Sequence, residues 1–340
     1  MRSRKPQEAA RDPEGAAFDP NGLRDMNWLA AAKVTPPQPS TVLVDRPAAR
    51  AALDRGLNLR LTLVIAPAGF GKTTLLGQWR ADLAARGLMA AWLSPDEDEG
   101  DPLQLLALMT LALTVAGARM GDVEKMASQA FADVPTVAAL GSFLSAVARD
   151  GRPMVVILDD YQRVGSRAAD SMVAQILARC PDNLHLVLSS RERPELPLAG
   201  FKAQGQVQEL GVEHLRFTPD DARELFAGKL DMDATHELVS RTEGWGVALQ
   251  LARLWLDGAG ASVDLNASFS GRSADLADYL AEQVFNDLPP DAQQVLLETA
   301  VCERINGDLA NALTGRSDCW DILGRLRRLN ALLLPLDDER

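Results

Sequence analysis

The chain has 340 residues, 47% of them hydrophobic and 24% charged, which is enough for two or three cores, and it carries a net charge of −12. That acidic balance argues against this stretch gripping nucleic acid through its phosphates, since Arg325, Arg327 and Arg328 form the only notable late basic cluster and read as a solvated helix face. Cys180, Cys302 and Cys319 are too dispersed for a metal or disulfide framework, no apolar run reaches membrane-spanning length, and the N-terminal charges lack a following hydrophobic region, so a cytoplasmic protein without a membrane partner is expected.

Residues 1–40 show no sustained period, end in Pro36-Pro37-Gln38-Pro39, and predict a flexible tail. From Thr41 strand and helix alternate: a short helix at about 46–57, then an apolar strand at 61–66. The next residues, Ala66-Pro67-Ala68-Gly69-Phe70-Gly71-Lys72-Thr73-Thr74, run into an amphipathic helix whose Leu75, Trp79 and Leu83 share one face. Strand, glycine-bearing turn and helix in that order are the layout of a nucleotide phosphate loop. Backbone amides converge on a β-phosphate, the helix start adds positive potential, Lys72 supplies a cation, and the Thr73 hydroxyl holds Mg²⁺. Ala66 stands where the usual pattern has Gly, and a small residue fits there if its dihedrals are ordinary.

A strand at 88–93 follows, and Asp101-Pro102 then starts a helix with a broad apolar face. Met154 to Leu158 are five consecutive apolar residues running into Asp159 and Asp160, as expected of a strand buried on both faces of a parallel sheet. Beside the phosphate loop, Asp159 would serve Mg²⁺ and Asp160 would orient or deprotonate an attacking water; alternatively the pair caps the next helix. A strand at 184–189 ends in Ser190-Arg191 at the same sheet edge. There Arg191 either senses a γ-phosphate or pairs at the surface with Glu192 or Glu195. With a strand at about 206–211, the set predicts an α/β fold with a five-stranded, mostly parallel sheet over 41–216.

After Phe217 the strands stop. Thr218-Pro219-Asp220-Asp221 caps the first helix of a helical lid over 217–258, in which Glu243-Gly244-Trp245-Gly246 ends one helix and begins another. That turn either brings backbone near a ligand or is a plain helix corner. Residues 259–272 read as a linker, and helices at about 273–286, 290–300, 307–313 and 318–329 lead to a short apolar strand, Leu332 to Leu336.

Taken in order, Val44-Asp45-Arg46-Pro47, the phosphate loop, Ala91-Trp92-Leu93-Ser94, Leu158-Asp159-Asp160-Tyr161, Leu188-Ser189-Ser190-Arg191 and Gly244-Trp245 resemble the nucleotide-binding module of the MalT-like, large ATP-binding LuxR-type regulators. These belong to the signal-transduction ATPases with numerous domains, the STAND class, and the resemblance covers about residues 41–340. It implies a P-loop NTPase domain, a lid, and a winged-helix-like domain over 273–340 that stops after one strand of its hairpin; a strand with no partner predicts a fragment of a longer chain. It also implies a switch with weak ATPase activity. ADP holds a closed monomer, an inducer permits exchange for ATP, the opened protein self-associates and activates transcription, and slow hydrolysis resets it.

Residue by residue, the resemblance implies phosphate and Mg²⁺ contacts for Lys72 and Thr73, Mg²⁺ for Asp159, hydrolysis for Asp160 and a sensor role for Arg191. Arg46 and Pro47 match the segment on the adenine side, and Gly244 and Trp245 lie where the lid approaches the nucleotide, although Gly246 stands where many STAND proteins have Pro. The inducer-sensing repeats and the helix-turn-helix that reads DNA in such regulators are expected outside these residues. The alternatives are an AAA-like ATPase motor, a non-catalytic nucleotide-binding scaffold, and a small-molecule kinase.

Overall fold

The computed structural model describes residues 28–38, 43–132, 134–259, 285–286, 288–302 and 304–328. Five strands, β1 (Leu61–Ile65), β2 (Met89–Leu93), β3 (Met154–Leu158), β4 (Leu184–Ser190) and β5 (Val207–Leu210), form one sheet in the order β2-β3-β4-β1-β5, with every pairing parallel. Parallel neighbours need crossovers, and helices supply them. After α1 (Trp28–Lys33), α2 (Pro47–Gly56) leads into β1, α3 (Lys72–Ala85) joins β1 to β2, and α4 (Pro102–Val115), α5 (Asp122–Ala127) and α6 (Thr136–Asp150) join β2 to β3. Then α7 (Arg167–Ala178) joins β3 to β4, α8 (Ala199–Ala203) joins β4 to β5, and α9 (Val212–Leu215) leaves the sheet.

β2 and β3 read as continuous apolar runs because both faces are covered. Leu63, Val156 and Leu188 pack with residues of α4, α6 and α7 on one side, while Val64, Ile157 and Val187 pack with Leu53, Leu76 and Trp79 of α2 and α3 on the other. Several helix starts are capped by polar side chains. The Asp101 carboxylate accepts from Leu103 N at 2.7 Å ahead of Pro102, and Ser166, Asp231 and Asn306 cap their helices in the same way. Like α2, α5 and α6, α3 has no side-chain cap; its cap residue is Gly71, so its first amides stay open to an anion.

Part of the expected tail is structured. Residues 28–38 include α1, Val34 is buried at 2% exposure, and Lys33 Nζ reaches both Asp96 and Glu99 at 2.8 Å. The Lys33 carbonyl also accepts from Ser94 N at 2.8 Å, just past the end of β2. The segment of α1 therefore docks just past the end of β2, which is an edge strand of the sheet. Residues 1–27, the linker beyond Ala259, nearly all of the helix expected at 273–286 and the strand expected at 332–336 fall outside the described residues.

The lid helices α10 (Pro219–Leu225), α11 (Met232–Thr242) and α12 (Gly246–Ala259) enclose Ala222, Leu225, Phe226, Leu238 and Leu249, with Val44 from ahead of α2 buried among them. Farther on, α13 (Pro290–Thr299), α14 (Gly307–Thr314) and α15 (Cys319–Arg328) share a separate small core of Val295, Ala310, Cys319, Ile322 and Leu326.

At the amino ends of the strands, His185 is clamped between Leu59 O, 2.8 Å from Nδ1, and Thr62 Oγ1, 3.1 Å from Nε2. Burial pushes its pKa down to about 4, against an ordinary value near 6.5. The unfolded chain therefore takes up this proton first as pH falls. Stability is full above about pH 6.5 and declines toward pH 4, by roughly 3 kcal/mol from this group. Urea titrations across that window should show the loss in the wild type and a shallower one in His185→Gln.

Candidate nucleotide site

The phosphate loop leaves the carboxyl end of β1 with Gly69 at φ +81° and Gly71 at φ +77°, both in the left-handed region open chiefly to glycine. Ala66 is fully buried and has no positive φ, which explains why alanine serves where glycine is usual. Lys72 opens α3 and folds back over the loop, donating from Nζ to Ala66 O at 2.7 Å and Pro67 O at 3.0 Å. It is only 6% exposed. Burial lowers its pKa to about 8; Asp160 and Asp159 oppose that shift, and Arg191 adds to it. Arg191 therefore lies within electrostatic reach of Lys72.

One residue on, Thr73 Oγ1 donates to Asp159 Oδ2 at 2.7 Å, joining the loop to the end of β3 across the intervening β4. Asp159 is 3% exposed; burial and the neighbouring Asp160 push its carboxyl pKa up, while Thr73, Ser189 and Lys72 pull it down. Its Oδ1 has no hydrogen-bond partner within 3.5 Å, while the buried Ser189 hydroxyl on β4 lies on the carboxylate's side. A hydroxyl beside a carboxylate with an unsatisfied oxygen suits a hard cation that keeps most of its water, as Mg²⁺ does. Thr73 and Asp159 are the residues here that would hold it.

Asp160 follows with φ +53° and begins a short helical turn, Tyr161–Arg163. Its Oδ1 accepts from Gln162 Nε2 at 3.1 Å, and Gln162 Oε1 accepts from Arg191 N at 3.0 Å. Gln162 thus bridges the ends of β3 and β4, a role for which a lone glutamine gives no signal in the sequence.

The lid meets the loop directly. Trp245 Nε1 donates to Ala68 O at 3.0 Å, and Val247 N donates to Gly69 O at 3.1 Å. Gly244, at φ +68°, accepts from Phe217 N at 2.9 Å, and a Cβ there would lie 2.6 Å from Phe217 O. Pro47 opens α2, while the Arg46 guanidinium is held against the segment ahead of α10. It lies 4.6 Å from the Phe217 ring centroid, donates to Arg216 O at 2.8 Å and faces Asp221 at 3.7 Å. The resemblance implies that the segment of Arg46 and Pro47 lies on the adenine side; the Arg46 guanidinium also joins that segment to Arg216 and Phe217 ahead of α10.

A glycine-shaped loop after β1, an uncapped helix start, and a Thr73–Asp159 link across a parallel sheet of this order define an α/β P-loop NTPase. The same fold occurs in a Walker-type ATPase of Pyrococcus abyssi, with a TM-score of 0.60 at 17% sequence identity over 85% of this chain and 90% of that one. Residues 281–340 match the family described as the MalT winged helix domain. The HTH-type transcriptional regulator MalT of Yersinia enterocolitica is 31% identical over 293 residues, covering 83% of this chain and 32% of MalT. The serine/threonine-protein kinase PknK of Mycobacterium tuberculosis is 30% identical over 313 residues, covering 91% of this chain and 28% of the kinase. The chain thus has the P-loop NTPase fold and, over most of its length, is similar to MalT-type regulators. It spans about a third of the length of the curated relatives it matches. Among the described residues no helix is long and apolar enough to cross a membrane.

Proposed function

We propose that these residues form the nucleotide switch of a larger regulator, which rests with ADP, is activated by exchange for ATP with Mg²⁺, and is reset by slow hydrolysis. The observation that carries this reading is the Thr73–Asp159 hydrogen bond beside the buried Lys72 ammonium, which brings the cation, the hydroxyl and the carboxylate of a phosphate and metal site together. Lys72 would exchange its two carbonyl partners for phosphate oxygens, and the free amides at the start of α3 would face the same charge. Bound Mg²⁺ would neutralise charge developing on those phosphates. Asp160 would orient the attacking water and accept its proton, and Arg191 would sense the γ-phosphate.

The same stretch matches both a protein named as a transcriptional regulator and one named as a kinase. What the two share is a control element rather than an output, and this favours a switch over a motor. Self-association in the ATP state, inducer recognition and DNA contact belong to the same proposal, the last two through segments outside these residues. The first test is to purify the protein without added nucleotide, denature it, and identify what is released by chromatography. Stoichiometric ADP, absent from Lys72→Ala, is the expected result, together with turnover well below about 1 per second, the low end for enzymes. Rapid turnover without retained ADP would instead indicate a motor.

Gln162 offers a finer test. Replacing it with leucine removes both bridges and leaves Asp160 and the Arg191 amide without that partner. Single-turnover hydrolysis should fall about tenfold, the equivalent of one well-placed hydrogen bond, with ADP affinity held within about twofold.

A further inference from the structure

We infer that Trp245 is a positioning residue for the phosphate loop, holding the loop's carbonyls away from the ligand side and making the loop's shape depend on lid docking; this rests on the nucleotide-site reading above. A loop that binds an anion turns its N–H groups inward, so its carbonyls point outward and must find donors there. Four consecutive carbonyls illustrate this. Ala66 O and Pro67 O take Lys72 Nζ, while Ala68 O and Gly69 O take the Trp245 indole and the Val247 amide of the lid. When Lys72 turns to phosphate, the two lid donors are the ones that stay.

The surrounding geometry is built for this contact. A Cβ at Gly69 would lie 2.6 Å from Trp245 Nε1 and 2.9 Å from Val247 Cγ2, so the loop has no room for a side chain beneath the indole. Behind the ring, Gly244 is fixed by the Phe217 amide, Trp245 N donates to Thr242 O at 2.9 Å, and a Cβ at Gly246 would stand 3.1 Å from Gly69 O. A lid that swings away takes both donors with it, and a loop held by ligand favours the docked lid by the same free energy.

The test uses the full chain with Trp245→Phe, which keeps an aromatic ring and removes the N–H. In the nucleotide-free protein, hydrogen exchange should quicken about tenfold in peptides covering 66–75 and 244–250, matching the loss of one hydrogen bond, and stay unchanged elsewhere. Affinity for a fluorescent ADP analogue should fall about fivefold to tenfold. Unchanged exchange in both peptides overturns the inference, and so does exchange raised evenly across the chain, which is what a purely structural tryptophan would give. Should Trp245→Phe not fold, Val247→Pro removes the second donor in the first turn of α12, where proline is tolerated, and must give the same local signature. If the wild type binds no ADP, the nucleotide-site reading fails, while the exchange result still decides the role of Trp245.

Discussion

Lys72→Ala should weaken ADP and ATP binding by at least about a hundredfold while melting within a few degrees of the wild type. The first half follows from charge. Lys72 is placed to make two or more charge-assisted hydrogen bonds to phosphate oxygens, each worth about 1.5–3 kcal/mol, and every 1.4 kcal/mol is a factor of about ten. The second half follows from what the side chain does without ligand. Burial that takes its pKa down to about 8 means that the charged form is held at a cost of roughly 3 kcal/mol, which truncation relieves. Truncation also leaves Ala66 O and Pro67 O without their donor, a penalty of about 1–3 kcal/mol that largely offsets the relief. Calorimetric titration with a parallel thermal melt separates the two effects. Equal ATP affinity in mutant and wild type would remove Lys72 from the site.

What was legible in the sequence is what is local. The phosphate loop announces itself because strand, glycines, lysine and helix start fall within a few consecutive residues, and its conformational demands appear directly as Gly69 and Gly71. Asp159 and Asp160 stood out because two carboxylates end an otherwise unbroken apolar strand. The sheet itself followed from the alternation of elements, but the position of β4 between β1 and β3 did not, and it is this order that puts the Ser189 hydroxyl beside Asp159.

The rest depends on contacts between distant residues. Trp245 and Ala68 are 177 positions apart, and Arg46 and Arg216 are 170 apart, so neither the anchoring of the loop nor the Arg46 contact leaves a trace in spacing. The docking of α1 was obscured for a related reason. A six-residue helix followed by Pro36 and Pro37 has too little period to register, and what fixes it is Val34 in the core and an ion pair from Lys33 to Glu99, 66 positions away.

Asp160→Asn should leave ADP affinity within about threefold and slow ATP hydrolysis by at least about a hundredfold, the lower range for loss of a positioned base. The substitution is close to isosteric, and asparagine is among the few residues that accept the left-handed backbone Asp160 adopts at φ +53°. Its side-chain oxygen can still accept from Gln162 Nε2, so the bridge to Arg191 survives and the change removes little besides the charge that would orient and deprotonate water. Asp159→Asn differs in kind. Its carboxylate accepts from Thr73 and carries the orphaned oxygen suited to a cation, so losing that charge should weaken Mg²⁺-dependent ATP binding itself. Single-turnover hydrolysis and nucleotide titration on both variants make the distinction. Wild-type hydrolysis in Asp160→Asn would reduce Asp160 to the residue that starts the turn at Tyr161 and place the base elsewhere. With hydrolysis slowed and binding kept, the switch reading further requires that ATP-loaded Asp160→Asn persist in the self-associated state longer than the wild type, because hydrolysis is then the step that ends it.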